Sequence, residues 1–225
     1  MSKPSQVSSA GFVSETDKQA PRAVKAVLFD LGRVLIDFDH LRAAESLSCF
    51  TDKSAQEIFD LFFDSELTAL FEEGKISPRG FFAEVGRMLS LDISYHQFVP
   101  IWNEIFFFSE KNLGVYQCAR KIENTYKFAV LSNINILHLE YIKRTFPLLN
   151  AFTIIASNEL GLRKPHLDIY RKALQKLGEP AESVFYADDR AELVASASEL
   201  GMRSFIFKDV EVLKKDLRGA GVDIF

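Results

Sequence analysis

The sequence predicts an α/β protein whose strands form a parallel sheet, with a helical segment inserted after the first strand. Apolar runs alternate with helical patterns along most of the chain, as in βαβ units with right-handed crossovers. The runs are rich in β-branched and aromatic residues, which is typical of strands whose two faces are both covered. Between residues 40 and 109 this alternation stops, and only helical patterns are found.

The first strand is predicted at residues 24–29, and it ends at Asp30, with Gly32 close behind. Ligands bind at the carboxyl ends of the strands in open α/β sheets, so Asp30 is predicted to lie in an active site. The alternative is a turn residue that merely leaves a strand. Asp37 and Asp39 are either residues of the site entrance or ordinary loop and cap residues.

Helix start signals divide the inserted segment into about four helices. The signals are a capping box of Ser54 and Glu57, then Ser65, then Ser77 before Pro78, and finally Ser94. The last helix is predicted to run through Trp102 to Phe106, with a late start or a kink at Pro100. Many of the 21 phenylalanines lie in this segment, which indicates a packed aromatic core.

Strands and helices alternate again after the insertion. The predicted helices are residues 110–123, 135–144, 166–177, 190–200 and 210–217, and the predicted strands are residues 128–131, 152–156, 184–187 and 203–207. Gly178 and Gly201 follow two of the helices, where glycine commonly ends a helix.

Composition excludes several classes of protein. The 225 residues suggest one large domain or one domain with an insertion, and the net charge of −4 without a basic cluster argues against a nucleic-acid partner. No run approaches the roughly 18 apolar residues of a membrane span, and residues 1–22 are expected to be a flexible tail. Two cysteines fit a reducing cytoplasm, with Cys118 assigned to packing. A monomer or a homodimer is expected.

Polar residues of complementary chemistry follow four of the predicted strands. The set is Asp30, Ser132, Asn133, Lys164, Asp188 and Asp189. Asp30 can attack a phosphoryl group as a carboxylate nucleophile, and Lys164 can neutralise the transferring group. The Ser132 hydroxyl can hold a phosphate oxygen. Clustered carboxylates repel one another without a cation, so Asp30 and Asp188 are predicted to share Mg²⁺.

These residues give the chain a resemblance to the haloacid dehalogenase superfamily of aspartate-nucleophile phosphatases. Four motifs carry it, in order: FDLGRVL at residues 29–35, VLSN at 130–133, RKP at 163–165 and FYADDRAE at 185–192. The resemblance implies a Rossmann-like core formed by residues 23–38 and 110–225, with residues 39–109 as an inserted helical cap domain. The chain is also similar to the bacterial branch that includes α-D-glucose-1-phosphate phosphatase.

The resemblance assigns roles residue by residue. The catalytic residues are Asp30, Ser132 and Lys164; the substrate-binding residues are Ser132, Asn133, Lys164 and Arg33; the Mg²⁺ ligands are Asp30, Gly32, Asp188 and Asp189. For Asn133 a simple turn residue, and for Arg33 a surface charge, are the alternatives. Glu192 is either an acid that orients the metal site or a solvated residue of a first helical turn. The histidines show no metal-ligand spacing.

The sequence departs from the family pattern at Gly32. Most phosphatases of the family carry a second aspartate there, two positions after the nucleophile, as the general acid/base. Gly32 can still offer its backbone carbonyl to Mg²⁺, but it lacks the carboxyl, whose help is typically worth ~10²–10⁴-fold. We therefore expect a slow enzyme, a good leaving group such as an anomeric oxygen, or another acid from the chain.

The function predicted on this basis is a Mg²⁺-dependent phosphatase of a small phosphorylated metabolite, such as a sugar phosphate, acting through an aspartyl phosphate. Two alternatives stay open at this point. A 2-haloacid dehalogenase would use Asp30 on carbon without a metal, although a metal-free site gains little from the adjacent carboxylates of Asp188 and Asp189. A non-catalytic protein that binds a phosphorylated ligand would follow if Gly32 had ended turnover.

Overall fold

The computed structural model describes residues 22–62 and 65–223, so the predicted tail lies, except for Arg22, outside the described residues. A parallel five-stranded sheet in the order β5-β4-β1-β6-β7 forms the centre of the molecule, and it confirms the predicted α/β class. Its strands are β1 (Ala26–Phe29), β4 (Lys127–Ser132), β5 (Ile154–Ala156), β6 (Val184–Asp188) and β7 (Arg203–Ile206). Chain order and spatial order differ, as crossover connections require.

Helices cover both faces of this sheet. Alternate strand residues point to opposite faces, so Val27 and Phe29 pack in one apolar cluster while Ala26 and Leu28 pack in another. The helices that follow the insertion are α6 (Glu110–Ile122), α7 (Ile136–Thr145), α8 (Ser157–Leu160), α9 (Leu167–Leu177), α10 (Ala191–Glu199) and α11 (Val210–Gly219). Residues of α6, α7 and α11 join the first cluster, and residues of α9 and α10 join the second.

The inserted segment contains five helices with an apolar core of their own. They are α1 (His40–Ser48), α2 (Ala55–Phe62), α3 (Glu66–Glu72), α4 (Pro78–Leu89) and α5 (Tyr95–Asn103). Phe71 and Phe81 stack with ring centroids 4.3 Å apart, and Phe98 stacks on Trp102 at 5.7 Å. Stacked and edge-on aromatic pairs add to the free energy gained by burying the rings. The predicted aromatic packing of this segment is confirmed.

The predicted helix caps of the insertion are confirmed by hydrogen bonds. Ser54 and Glu57 bond reciprocally, with the Ser54 backbone N–H donating to Glu57 Oε2 at 2.8 Å. Side chains also cap α3, α4 and α5. The hydrogen bonds of a helix cap join residues only two or three positions apart, so the sequence pattern alone predicts them.

Two expectations for the end of the insertion are wrong, namely the late start of the last helix and its end at Phe106, while the kink at Pro100 stays a prediction. The last helix begins at Tyr95 and carries Pro100 inside it, because the cap at Ser94 starts the helix one turn before the proline. The helix ends at Asn103 instead of reaching Phe106. Phe106 belongs to β3 (Phe106–Phe107), which pairs antiparallel with β2 (Asp37–Phe38). Two-residue strands are too short to show alternation, and this pair joins the two ends of the insertion.

The insertion has five helices where about four were predicted, because α1 was not predicted. The differences after the insertion are small. Strands and helices after the insertion begin and end within one or two residues of the predicted positions, and the short helix α8 was not predicted. None of the helices in the described part of the chain combines the length and apolar character needed to cross a bilayer. The division into a core of residues 23–38 and 110–225 and a cap of residues 39–109 stays a prediction.

Candidate active site

Asp30 lies directly after β1, the middle strand of the sheet. Its backbone N–H donates to the carbonyl of Ala187 on β6 (2.8 Å), so the hydrogen bonding of the sheet continues as far as Asp30. Only 8% of the residue is exposed. Arg33, in the turn that follows, adopts the left-handed region at φ 58°. A rigid strand therefore holds Asp30 at the carboxyl edge of the sheet.

Lys164 is buried between two carboxylates. Its Nζ donates to Asp30 Oδ1 at 2.6 Å and to Asp188 Oδ2 at 2.7 Å, and it lies 3.3 Å from the Tyr186 hydroxyl. Burial alone would lower the pKa of Lys164, but the carboxylates of Asp30 and Asp188 together raise it above its ordinary value. A permanent positive charge therefore sits beside the oxygens of Asp30.

Three carboxylates lie close together around Lys164. Asp30, Asp188 and Asp189 each offer an oxygen, and these oxygens lie within 4.8 Å of one another. Burial raises the pKa of Asp30 to about 7; Lys164 opposes that rise and Asp188 adds to it. Burial and the charge of Asp188 also raise the pKa of Asp189. Carboxylate oxygens in this number fit a hard divalent cation, which would offset the excess negative charge.

Tyr186 completes the surroundings of Asp188. Its hydroxyl donates to Asp188 Oδ2, the same oxygen that accepts from Lys164. The Asp188 Oδ1 atom accepts from the backbone N–H of Arg190 at 3.0 Å. Because Asp188 is wholly buried, these bonds fix its carboxylate in one position.

Asn133 holds the backbone of Lys164. The Asn133 Nδ2 atom donates to the Lys164 carbonyl at 2.9 Å, and the Lys164 N–H donates to Asn133 Oδ1 at 2.7 Å. This reciprocal pair links the end of β4 to the loop that carries the lysine. Asn133 thus positions Lys164, and its predicted contact with substrate stays a prediction.

The other predicted site residues surround the same space. Ser132 is buried at the end of β4, and its hydroxyl lies 3.4 Å from the Asn133 carbonyl. The Arg33 side chain is 59% exposed and its Nε lies 3.9 Å from Asp189 Oδ2, a long contact in water. Gly32 lines the cavity beside Asp30. Glu192 is exposed and pairs with Arg190, as a solvated residue of a first helical turn does.

A cavity of about 360 Å³ lies over these residues, between the sheet and the inserted helices. The predicted catalytic, substrate-binding and metal-binding residues all line it except Asp188, which is buried. The insertion supplies part of its wall, namely His40, Phe59, Thr68, Ala69, Glu72, Trp102 and Phe106. None of these seven was predicted as a site residue, because helical spacing shows which residues share a face and not what that face contacts.

His138 on α7 is a further cavity residue without a signal in the sequence. Asn135 Nδ2 lies 3.0 Å from its Nδ1, and the Trp102 carbonyl lies 3.0 Å from its Nε2. A carbonyl only accepts, so Nε2 carries the proton and Nδ1 accepts from Asn135. Burial lowers the pKa of His138 to about 4, although the bond to Trp102 opposes this. A neutral His138 therefore ties α7 to the insertion.

Comparison with known proteins adds independent information. A family model described as haloacid dehalogenase-like hydrolase matches residues 27–207. Drimenol cyclase from Aspergillus calidoustus is 24% identical over 197 residues, but the chain spans only 36% of that relative's length. D-ribitol-5-phosphate phosphatase from Bacteroides thetaiotaomicron is 23% identical over 190 residues, which cover 81% of this chain and 91% of the relative.

A solved structure shows the same fold with ligands bound. It is a HAD family enzyme from Bacteroides thetaiotaomicron in complex with magnesium and inorganic phosphate. The two chains are 26% identical and superpose with a TM-score of 0.72 over 83% of this chain and 95% of that one. The similarity thus extends over most of both chains.

Proposed function

The chain belongs to the haloacid dehalogenase-like hydrolases, and from this membership we propose that it is a Mg²⁺-dependent phosphatase of a small phosphorylated metabolite. The observation that carries the proposal is Lys164, buried between Asp30 and Asp188 beside a third carboxylate, at the floor of a cavity. The phosphatase named among the relatives and the magnesium and phosphate in the similar structure support it.

Asp30 is proposed as the nucleophile. Lys164 contacts its Oδ1, while Oδ2 makes no hydrogen bond to any described residue and is the oxygen that attacks phosphorus. A bond forms between Oδ2 and phosphorus, and the bond from phosphorus to the leaving oxygen breaks. Water then hydrolyses the aspartyl phosphate and restores the carboxylate. Lys164 and the Ser132 hydroxyl stabilise the negative charge of the transferring group.

Asp30, Asp188, Asp189 and the Gly32 carbonyl would hold Mg²⁺. When bound, the cation would shield the carboxylates from one another and draw electron density from the phosphate oxygens. The residues present fit this ion, because their donors are oxygens and because the three carboxylates outnumber Lys164 and the more distant Arg33.

The substrate class proposed is a sugar phosphate, and an ion pair on the cavity wall supports it. Arg163 Nη2 lies 3.1 Å from Glu72 Oε2, and both residues line the cavity. The Ser157 hydroxyl donates to the Glu72 carbonyl at 2.6 Å and fixes this end of α3. Arg163 Nε is buried and has no hydrogen-bond partner among the described residues. A donor and an acceptor side by side suit the hydroxyl groups of a sugar.

Arg163 can be tested for this role by substitution. Arg163→Met is expected to raise KM for a sugar phosphate substrate at least about tenfold, since a lost charged hydrogen bond costs roughly 1.5–3 kcal/mol. KM for p-nitrophenyl phosphate, which has no hydroxyl groups, should change little. Arg171→Met, which removes an exposed arginine paired with Asp168, is the matched control. Equal effects on both substrates would contradict the assignment.

A second substrate class is favoured by the aromatic part of the wall. Phe38, Phe59, Trp102 and Phe106 all line the cavity, and such side chains suit an apolar leaving group. Phosphate esters of phenol and of a long-chain alcohol therefore belong in the substrate panel. A preference for these esters over sugar phosphates would select this class.

The inserted residues 39–109 are proposed as a cap domain that covers the substrate. Two short strands at the ends of the insertion, β2 and β3, connect it to the sheet. Because the insertion forms one wall of the cavity, its closure would exclude water during phosphoryl transfer and select the leaving group.

The experiment that tests the function measures phosphate release from sugar phosphates and p-nitrophenyl phosphate, with Mg²⁺ or with EDTA. Release that needs Mg²⁺ and disappears in Asp30→Asn is expected, while the exposed control Asp92→Asn keeps full activity. Binding of phosphate without any release would favour the non-catalytic alternative. Halide release from 2-haloacids in EDTA would favour the dehalogenase alternative, which the three clustered carboxylates argue against.

A further inference from the structure

Tyr186 contacts the charged residues of the site from inside the core. It belongs to β6, two positions before Asp188, and alternate residues of a strand point to the same face. Tyr186 is wholly buried and does not line the cavity. A substrate in the cavity therefore does not touch it, and any effect of Tyr186 on the reaction passes through its neighbours.

The ring and the hydroxyl group of Tyr186 have different surroundings. The ring packs in the apolar cluster that contains Leu28, and it meets the Tyr170 ring edge-on at a centroid distance of 5.7 Å. A phenylalanine ring would fill that space equally well. The hydroxyl group lies 3.3 Å from Lys164 Nζ and donates to Asp188 Oδ2. Packing thus explains the ring, but it does not explain the hydroxyl group.

Tyr186 completes the hydrogen bonds of Lys164. The ammonium group has three N–H donors, and its three acceptors are Asp30 Oδ1 at 2.6 Å, Asp188 Oδ2 at 2.7 Å and the Tyr186 oxygen at 3.3 Å. Because an ammonium group only donates, the Tyr186 hydroxyl keeps its own proton for Asp188 Oδ2. Lys164 and Tyr186 together therefore occupy both lone pairs of that carboxylate oxygen.

The other oxygen of Asp188 keeps a lone pair. Oδ1 accepts from the Arg190 backbone N–H at 3.0 Å and makes no other hydrogen bond to a described residue. A carboxylate oxygen that binds Mg²⁺ needs such a lone pair. Bonds to both oxygens also keep the buried carboxylate from turning, so the same oxygen stays available.

We propose that Tyr186 is a positioning residue for Mg²⁺ binding, an inference that rests on the proposed function. Its hydroxyl group holds Oδ2 of Asp188 beside Lys164 and leaves Oδ1 for the cation. Without this group, Oδ2 regains a lone pair and one N–H of Lys164 loses its acceptor. The carboxylate can then turn, and it no longer offers Mg²⁺ a single orientation. Residues that orient metal ligands typically change metal affinity or activity by about 10–100-fold when they are replaced.

The test replaces Tyr186 by phenylalanine, which removes the hydroxyl group and keeps the ring. Calorimetric titration of the substrate-free protein with Mg²⁺ is expected to give a Kd about 10–100-fold higher for Tyr186→Phe than for the wild-type protein. The Mg²⁺ concentration for half-maximal turnover should rise as well, while KM for p-nitrophenyl phosphate at saturating Mg²⁺ stays unchanged. The matched control is Tyr126→Phe, which should keep the wild-type values. The Tyr126 hydroxyl accepts from the Asp223 N–H at 3.0 Å, and Tyr126 precedes the amino end of β4, away from the carboxylates.

Each outcome bears on a different claim. A Kd for Mg²⁺ in Tyr186→Phe that equals the wild-type value or lies below it would overturn the role of Tyr186 and leave the phosphatase proposal intact. A variant that melts at a lower temperature but keeps the wild-type Kd would show that the hydroxyl group only supports the structure, which also overturns the inference. Absence of Mg²⁺-dependent release in the wild-type chain, from p-nitrophenyl phosphate and sugar phosphates alike, would overturn the proposed function itself, whereas the calorimetric titration does not depend on turnover.

Discussion

Replacing Asp30 by asparagine should make the metal-free protein more stable. Burial raises the pKa of Asp30 from 3.8 to about 7 in the folded state. Between these two pH values the folded state binds more protons than the unfolded state, so its stability falls as the pH rises. The loss is complete above pH 7, where Asp30 is ionised in both states. Asparagine carries no charge and avoids this loss.

The size of the effect follows from the shift in pKa. Each pKa unit corresponds to about 1.4 kcal/mol, so a shift from 3.8 to about 7 amounts to roughly 4 kcal/mol at pH 8. Lys164 loses one of its two anionic partners in the variant, which offsets part of that gain. We therefore expect Asp30→Asn to gain about 2–4 kcal/mol at pH 8 and close to nothing at pH 4.

Urea unfolding in EDTA at pH 4, 6 and 8 measures this difference. The free energy of unfolding of Asp30→Asn minus that of the wild-type protein should grow across the series, while the exposed control Asp92→Asn stays near zero. Added Mg²⁺ should stabilise the wild-type protein more than the variant. A variant that is no more stable than wild type at pH 8, or a difference that does not change with pH, would refute the reasoning.

Three further predictions concern neighbouring residues. Lys164→Met leaves buried carboxylates without their cation and should destabilise the metal-free protein by about 3–5 kcal/mol at pH 8 in urea unfolding; a loss below about 1 kcal/mol would contradict this. Gly32→Ala should lower the free energy of unfolding by about 1–3 kcal/mol, because the added methyl group contacts the Phe38 ring. Adding Phe38→Leu to this variant should recover most of that loss, and a double variant whose loss in thermal unfolding equals the sum of the two single losses would argue against the contact. The lowered pKa of His138 means that the unfolded state binds the extra proton between pH 4 and 6.5, so His138 contributes a rise of about 3 kcal/mol in stability across that range, opposite in sign to the contribution of Asp30. The free energy of unfolding of His138→Gln minus that of wild type should therefore fall from pH 4 to 6.5, and a difference that does not change with pH would exclude this role of His138.

The parts of the structure that depend on near neighbours in the chain were predictable. Ser54, Ser77 and Ser94 begin helices because their side chains bond to backbone groups two or three residues away. β1 was recognisable because a strand covered on both faces consists of consecutive apolar residues. Asp30 was then placed at the edge of the sheet by its position after that strand.

Contacts between distant segments gave no signal. β2 and β3 pair across about 70 residues of sequence, and two residues are too few to show alternation. Arg163 and Glu72 form an ion pair on the cavity wall, and neither was predicted as a site residue from its own segment. The same is true of His40, whose contact with the cavity depends on where α1 packs.

The α/β class and the set of polar residues at the strand ends were predictable without the structure, because parallel strands bring their carboxyl ends to one edge whatever the loops do. The tertiary structure alone decided that Lys164 lies between Asp30 and Asp188, that Phe38 occupies the space beside Gly32, and which inserted residues face the cavity. These features depend on distances between side chains far apart in the chain, and packing of the whole molecule sets those distances.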